Sequence, residues 1–147
     1  MPEKETLERA EEDRREGKSA STQAGEFVRE EMHHVREGKH GARSTKQAIA
    51  IGLSKARRSG VPLKPPRRGK KSTRKSAARA YSAGRSGRGR RPSAARSRAI
   101  SRALRREGRS AASRPALARQ ARTAARRRSA GARSAAAQKA ARTRRKR

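Results

Sequence analysis

The sequence predicts a mainly α-helical protein, a small helical hairpin module followed by a long, intrinsically disordered and conditionally helical tail rich in Arg, Ala and Ser. Three observations carry this expectation. Aromatic residues make up 1% and hydrophobic residues 30% of the 147, too little apolar surface to offset chain entropy along the whole length. Charge is split unevenly: residues 1–66 hold 14 basic and 11 acidic side chains, whereas residues 67–147 hold 30 basic and one acidic, Glu107. Between residues 21 and 60 the few apolar side chains recur at helical spacing.

The segments follow in order. Residues 1–20 form an acidic arm or helix ending at Gly17, with seven acids and four bases in the first 16 positions and only Leu7 and Ala10 as apolar helix residues. A helix polar all round buries nothing, so it reads as solvated rather than docked. Residues 21–63 are the most foldable stretch. "STQAGEFVREEMHHVREGKHG" offers Ser21 or Thr22 as N-cap and Gly38 as a stop, with Ala24, Val28, Met32 and Val35 along one side and Phe27 beside them. "ARSTKQAIAIGLSKARRSG" opens with Ser44-x-x-Gln47, a capping-box pattern, and ends in Lys55, Arg57 and Arg58 before Gly60. Ile49, Ile51 and Leu53 alternate as a strand would, but Ile49, Leu53 and Ala56 also fall at i, i+4, i+7, and the alanines favour helix.

A hairpin of about 40 residues with so few large apolar side chains needs extra support, so self-association or a protein partner through residues 21–63 is expected. Pro62, Pro65 and Pro66 then mark an extended hinge into the basic tail, residues 64–147. A Ser-Ala-Ala unit recurs weakly at Ser76, Ser93 and Ser110. The Ala/Arg segments 93–107 and 113–130, the second with Pro115 near its start, are expected to turn helical only when phosphates neutralise their charge.

The net charge of +32 makes a polyanion the expected partner. Arg outnumbers Lys 33 to 11, and the planar guanidinium binds phosphate bidentately. The contact residues expected are Arg67, Arg68, Lys70, Lys71, Arg85, Arg88, Arg90 and Arg91 near the hinge, then Arg126, Arg127 and Arg128, and finally Arg144, Arg145, Lys146 and Arg147. "RGRRP", Arg88 to Pro92, resembles the AT-hook core Arg-Gly-Arg-Pro. Arg91 departs from that core, and matches arise easily in so basic a chain, so a plain phosphate-binding run is the preferred reading. Sequence-specific RNA modules are excluded by the lack of stacking rings, Phe27 and Tyr81 being the only aromatics. A helix-turn-helix is disfavoured by the seven-residue connection GKHGARS and by the absence of an evident third helix.

No cysteine is present, so disulfides and thiolate metal sites are excluded. His33 and Glu37 would lie one helical turn apart with His40 approaching from the loop, but the set is incomplete, and the three histidines read as exposed. No cofactor, no metal and no catalytic constellation is indicated; the protein is expected not to be an enzyme. No apolar run reaches the length of a membrane span, which implies a soluble, non-exported, cytoplasmic protein with no membrane partner.

Residues 21–61, "STQAGEFVREEMHHVREGKHGARSTKQAIAIGLSKARRSGV", together with the MPEKETLERA start and more loosely "ALARQARTAARRRSA", resemble an uncharacterised, DUF-type family of small basic bacterial proteins. Its members are sometimes labelled plasmid stabilisation or DNA-binding proteins. The tail is similar in kind to linker-histone and bacterial histone-like tails, though richer in arginine. The resemblance brings no catalytic or binding residues. The resulting expectation is a nucleoid-associated, largely sequence-independent DNA-binding protein that acts in nucleoid organisation or plasmid maintenance. The alternatives are an RNA- or ribosome-associated protein, or an antitoxin-like adaptor working through residues 21–63.

Overall fold

The computed structural model describes residues 1–87 and 93–145. Among the described residues there are seven α-helices, one 3-10 turn and no strand. They are α1 (Lys4–Arg15), α2 (Ala20–Glu37), α3 (Thr45–Arg58), α4 (Lys71–Ser86), α5 (Ala94–Arg105), the 3-10 turn Ser110–Ala112, α6 (Arg114–Arg126) and α7 (Ala130–Arg145). The chain divides into two compact units, Met1–Ser113 and Arg114–Arg147.

The hairpin at the centre of the first unit forms for the local reasons its sequence gives. α2 starts two residues earlier than expected, because Ser19 rather than Ser21 or Thr22 is the N-cap, its hydroxyl accepting from the Thr22 N–H at 3.4 Å. It stops at Gly38, whose φ of 77° is left-handed and lets the Gly38 and Lys39 N–H groups close onto the carbonyls of Val35 and His34. At α3 the Ser44 hydroxyl accepts from the Gln47 N–H at 3.3 Å, and the Gln47 side chain reaches back to the Arg43 N–H at 2.8 Å, one residue beyond the usual reciprocal bond. The Ile49-Ile51-Leu53 alternation is helical. Its side chains are half-buried, and the deepest face of α3 is Ala48, Gly52 and Ala56, small residues that bring the α2 backbone close.

α1 corrects the expectation of a solvated helix. It packs on α2 and buries Thr6, Ala10 and Asp13. Ala10 joins Ala24, Phe27, Ala56 and Val61 in the core, while Leu7, its one larger apolar residue, stays exposed. Polar contacts replace apolar area in the docking: Arg9 Nε meets Glu26 Oε2 at 2.8 Å, and the Glu3 N–H donates to Glu30 Oε2 at 3.2 Å. Ion pairs and backbone bonds thus fix a helix whose buried face is too small and polar to read as amphipathic.

The disordered tail is the second correction, because residues 71–86, 94–105, 114–126 and 130–145 are helix. Two physical causes act here. Ala and Arg are both strong helix formers, so local propensity acts where apolar burial is scarce. Parts of the segment are also tied to the hairpin. α4 packs on α3 through Ala77 and Ala80. The end of α5 is held by the α2–α3 loop, where Gly41 N–H donates to the Leu104 carbonyl at 2.8 Å and Ala42 N–H to the Gly108 carbonyl at 3.1 Å.

The third Ser-Ala-Ala unit is a plug. Ala111 and Ala112 are buried in the 3-10 turn, with Thr45 Oγ1 donating to the Ala111 carbonyl at 2.6 Å and Arg36 Nε to that of Ala112 at 2.9 Å. The other two units sit inside α4 and at the N-cap of α5, so the recurrence has no common structural role. Extra burial for the hairpin therefore comes from within the chain, from α1, α4 and this turn.

In the second unit, Pro115 is the second residue of α6, where its missing N–H costs nothing. Ser129 caps α7 by accepting from the Ala132 N–H at 3.2 Å.

Candidate nucleic-acid interface

α4 separates two kinds of surface by helical phase. At 100° per residue, Ala77, Ala80 and Gly84 fall within ~60° of one another, Lys71, Lys75 and Arg79 lie on the other side, and Arg74 sits at the edge between them, ~60° from Ala77. The first set faces α3. Gly84 makes the approach possible, since a Cβ there would lie 1.9 Å from the Arg57 carbonyl oxygen. The second set is exposed and has no carboxylate partner among the described residues. A strip of cations is thereby mounted on a rigid element, so its side-chain spacing is set before any anion arrives.

The flanking groups continue the strip. Arg74 Nη1 donates to the Arg67 carbonyl at 3.4 Å, folding the start of α4 against the segment that carries exposed Arg67, Arg68 and Lys70. At the other end the Arg85 guanidinium lies 5.8 Å from the Tyr81 ring centre and its Nη1 is 3.3 Å from the Tyr81 hydroxyl, which steadies an otherwise exposed side chain. Arg57 is different in kind. It is buried, donates through Nε to the Leu63 carbonyl at 3.1 Å, and burial pushes its pKa below the ordinary arginine value.

Of the contact residues expected from sequence, Arg67, Arg68, Lys70, Lys71 and Arg85 thus gather along and before α4. Arg126 ends α6, Arg127 and Arg128 lie in the turn that follows, and Arg144 and Arg145 close α7, all exposed in the second unit. Arg88, Arg90 and Arg91, with the hook-like RGRRP stretch, and Lys146 and Arg147 lie outside the described residues. Sequence reasoning missed Arg74, Lys75 and Arg79. The i, i+4 series Lys71, Lys75, Arg79 would have revealed them had residues 71–86 been read as helix.

A second polar group lies inside the first unit. Glu30 and Glu31 are almost fully buried side by side on α2. Lys55 of α3 lies between them, donating to Glu30 Oε1 at 3.1 Å and lying 2.8 Å from Glu31 Oε2 without hydrogen-bonding alignment. Burial opposes the Lys55 charge, but the two carboxylates outweigh it and hold its pKa above the ordinary lysine value. Burial likewise raises Glu30, and the bonds from Lys55 and the Glu3 N–H bring it below the usual carboxylate range. Glu3 accepts from His34 Nε2 at 2.8 Å and Lys39 Nζ at 3.0 Å, which lower its pKa to about 2.

These contacts correct the reading of three exposed histidines. His33 is exposed, but the His34 and His40 side chains are only 12% and 18% exposed, and His34, not His33, turns toward the interior. The sequence pairing of His33 with Glu37 put the wrong helical face inward.

Fold and surface together describe a protein that is all-helical among the described residues, with Asp13, Glu30 and Glu31 inside the first unit and many exposed arginines in both units. Residues 15–68, just over a third of the chain, match a family of unknown function (DUF6496). The match covers the end of α1, all of α2 and α3, and the proline-containing segment. Neither the curated proteins nor the solved structures contain a match to this chain. Among the described residues no helix is long and apolar enough to cross a membrane.

Proposed function

We propose that the protein binds DNA through the phosphate backbone, largely without regard to base sequence, and serves nucleoid organisation or plasmid maintenance. The observation that carries this reading is the exposed cations of α4, with Lys71, Lys75 and Arg79 set opposite the Ala77/Ala80/Gly84 face that packs on α3 and Arg74 at its edge. Folding explains the alanines and the glycine; it gives no reason for the cations. The second unit adds 13 Lys and Arg with no acid in its sequence. Each phosphate neutralised releases condensed counterions, so engagement of ~10 cations gives a log-log salt slope near roughly −9 on duplex DNA. α3 is covered by α2 and α4 and offers few free side chains to a groove, which favours backbone binding over base reading.

Fluorescence anisotropy of the full chain on duplex DNA, titrated with sodium chloride, tests the reading. Replacing Lys71, Arg74, Lys75 and Arg79 together by Gln should make the slope shallower by about 3 to 4 while leaving the melting temperature unchanged. Binding that persists in molar salt ends the proposal. A preference for structured RNA over duplex DNA at fixed salt transfers it to an RNA- or ribosome-associated role. One finding favours a second reading: the family likeness falls on residues 15–68, which stop before α4 and include only Arg67 and Arg68 of the expected contact residues. An antitoxin-like adaptor acting through residues 21–63 would keep its main activity in the four-Gln variant.

A further inference from the structure

The polar cluster inside the first unit has a feature that helix packing does not require. Glu31 is 0% exposed, yet neither carboxylate oxygen makes a hydrogen bond. His40 Nε2 lies 3.2 Å from Glu31 Oε1, while the other ring nitrogen, Nδ1, is 3.0 Å from the Gly41 carbonyl. A carbonyl only accepts, so Nδ1 carries a proton and Nε2 is the ring nitrogen that faces the buried carboxylate. Either a second ring proton or a metal ion between them completes that contact.

His34 is arranged in the same way. Its Nε2 is held by Glu3 Oε1 at 2.8 Å, which leaves Nδ1 turned inward, 3.9 Å from Glu30 Oε1. Its ring stands edge-on to that of His40, with centroids 6.0 Å apart. One ligand atom from each of Glu31, His34 and His40 lies within 4.8 Å of the others.

From this arrangement we infer that Glu31, His34 and His40 bind one divalent transition-metal ion of the zinc class, separately from any nucleic acid. Glu31-x-x-His34 is the i, i+3 spacing by which a single helix of a bundle presents a carboxylate and an imidazole to one metal. The third ligand comes from the loop just past α2. A tetrahedral ion with bonds of about 2.0 Å has edges of about 3.3 Å, close to the Glu31–His40 separation. Each histidine also has its far nitrogen fixed by an acceptor, Glu3 for one and the Gly41 carbonyl for the other, the arrangement that orients metal-binding imidazoles and raises their basicity.

Charge agrees. Glu3, Glu30 and Glu31 face Lys39 and Lys55, three negative groups against two positive. Lys55 is held at Glu31 Oε2, so the ion takes Oε1 alone, and three protein ligands leave a position for water or another ligand. His33, exposed on the opposite side, takes no part.

The test uses the full chain, cleared of metal with a chelator and free of nucleic acid. Titration with Co²⁺ should give visible ligand-field bands that saturate at one equivalent and are displaced by Zn²⁺. His33→Ala should leave them intact. His34→Ala and His40→Ala should each weaken binding by roughly 100-fold or more, and Glu3→Gln by about 10-fold. Should a variant fail to fold, ¹⁵N NMR of the unaltered chain decides: Zn²⁺ should move His34 Nδ1 and His40 Nε2, with His34 Nε2 and His40 Nδ1 remaining protonated. Absence of a saturable site in the unaltered chain, indifference to loss of both His34 and His40, or shifts confined to His33 would overturn the inference.

Discussion

In Met1–Ser113 all 12 acidic residues of the chain stand among 31 cations, and Asp13, Glu30 and Glu31 are folded inside; in Arg114–Arg147 there are 13 cations and no acid. The first unit uses its carboxylates to build structure. Arg9 with Glu26, Lys18 with Asp13 and Lys55 with Glu30 each join segments that the small apolar side chains alone would hold weakly. The second unit has Leu117 as its one large apolar residue and 12 alanines. Its helices rest on backbone propensity, and its sequence holds no acidic side chain. Carboxylates therefore reinforce tertiary folding in α1 to α3, α4 docks without them through Ala77, Ala80 and Gly84, and the second unit folds locally.

The change with the largest expected effect breaks the comparison directly. Phe27, 1% exposed, is the only large aromatic in the core, and Phe27→Ala should cost about 3–5 kcal/mol. Residue-resolved hydrogen exchange should then show α1 to α4 losing protection, with α6 and α7 unchanged because they never depended on that core. Equal loss in both units would mean that the second is stabilised by the first.

A smaller effect is expected from the second unit. Replacing Arg126, Arg127, Arg128, Arg144 and Arg145 by Gln removes five exposed cations and should make the DNA salt slope shallower by about 4 to 5. Thermal unfolding of the first unit, followed in the same sample, should not move. An unchanged slope would confine DNA contact to α4 and its approach.

How much of this was legible in the sequence follows the same division. The hairpin was readable because its signals are local: Ser44-x-x-Gln47, Gly38 and the apolar spacing of α2 are all answered in the structure. The docking of α1 was not, because its buried face is Thr6, Ala10 and Asp13, and no periodicity rule scores a buried aspartate as an anchor. The helices after the prolines were hidden for a related reason. Apolar content measures what a segment can bury, while Ala77 and Ala80 work by letting backbones approach, and alanine propensity needs no burial at all. Of the candidate interface, the cations before α4 were legible from charge alone; placing Arg74, Lys75 and Arg79 required the helix first. His34 was missed because the phase of α2 was set by its apolar side, whereas Glu30 and Glu31 also turn inward.

The smallest expected effect concerns Lys18, where the end of α1 meets the start of α2. Its ammonium is 2.8 Å from Asp13 Oδ1, its N–H bonds the Asp13 carbonyl, and its own carbonyl accepts from Gln23 Nε2 at 2.9 Å. Hydrogen bonds from Asp13 and then Glu16 raise the Lys18 pKa above the ordinary value of 10.5. A pKa raised by folding means that the stabilisation is fully present below the unfolded value and fades as pH climbs through the folded one. Melting temperatures of the unaltered chain and Lys18→Met, compared from about pH 9 to about pH 12, should therefore converge at the alkaline end. A gap that stays constant or widens toward alkaline pH would show that Lys18 acts through its methylene stem and backbone bonds, and the charge pairing credited to the first unit would then lose one of its junctions.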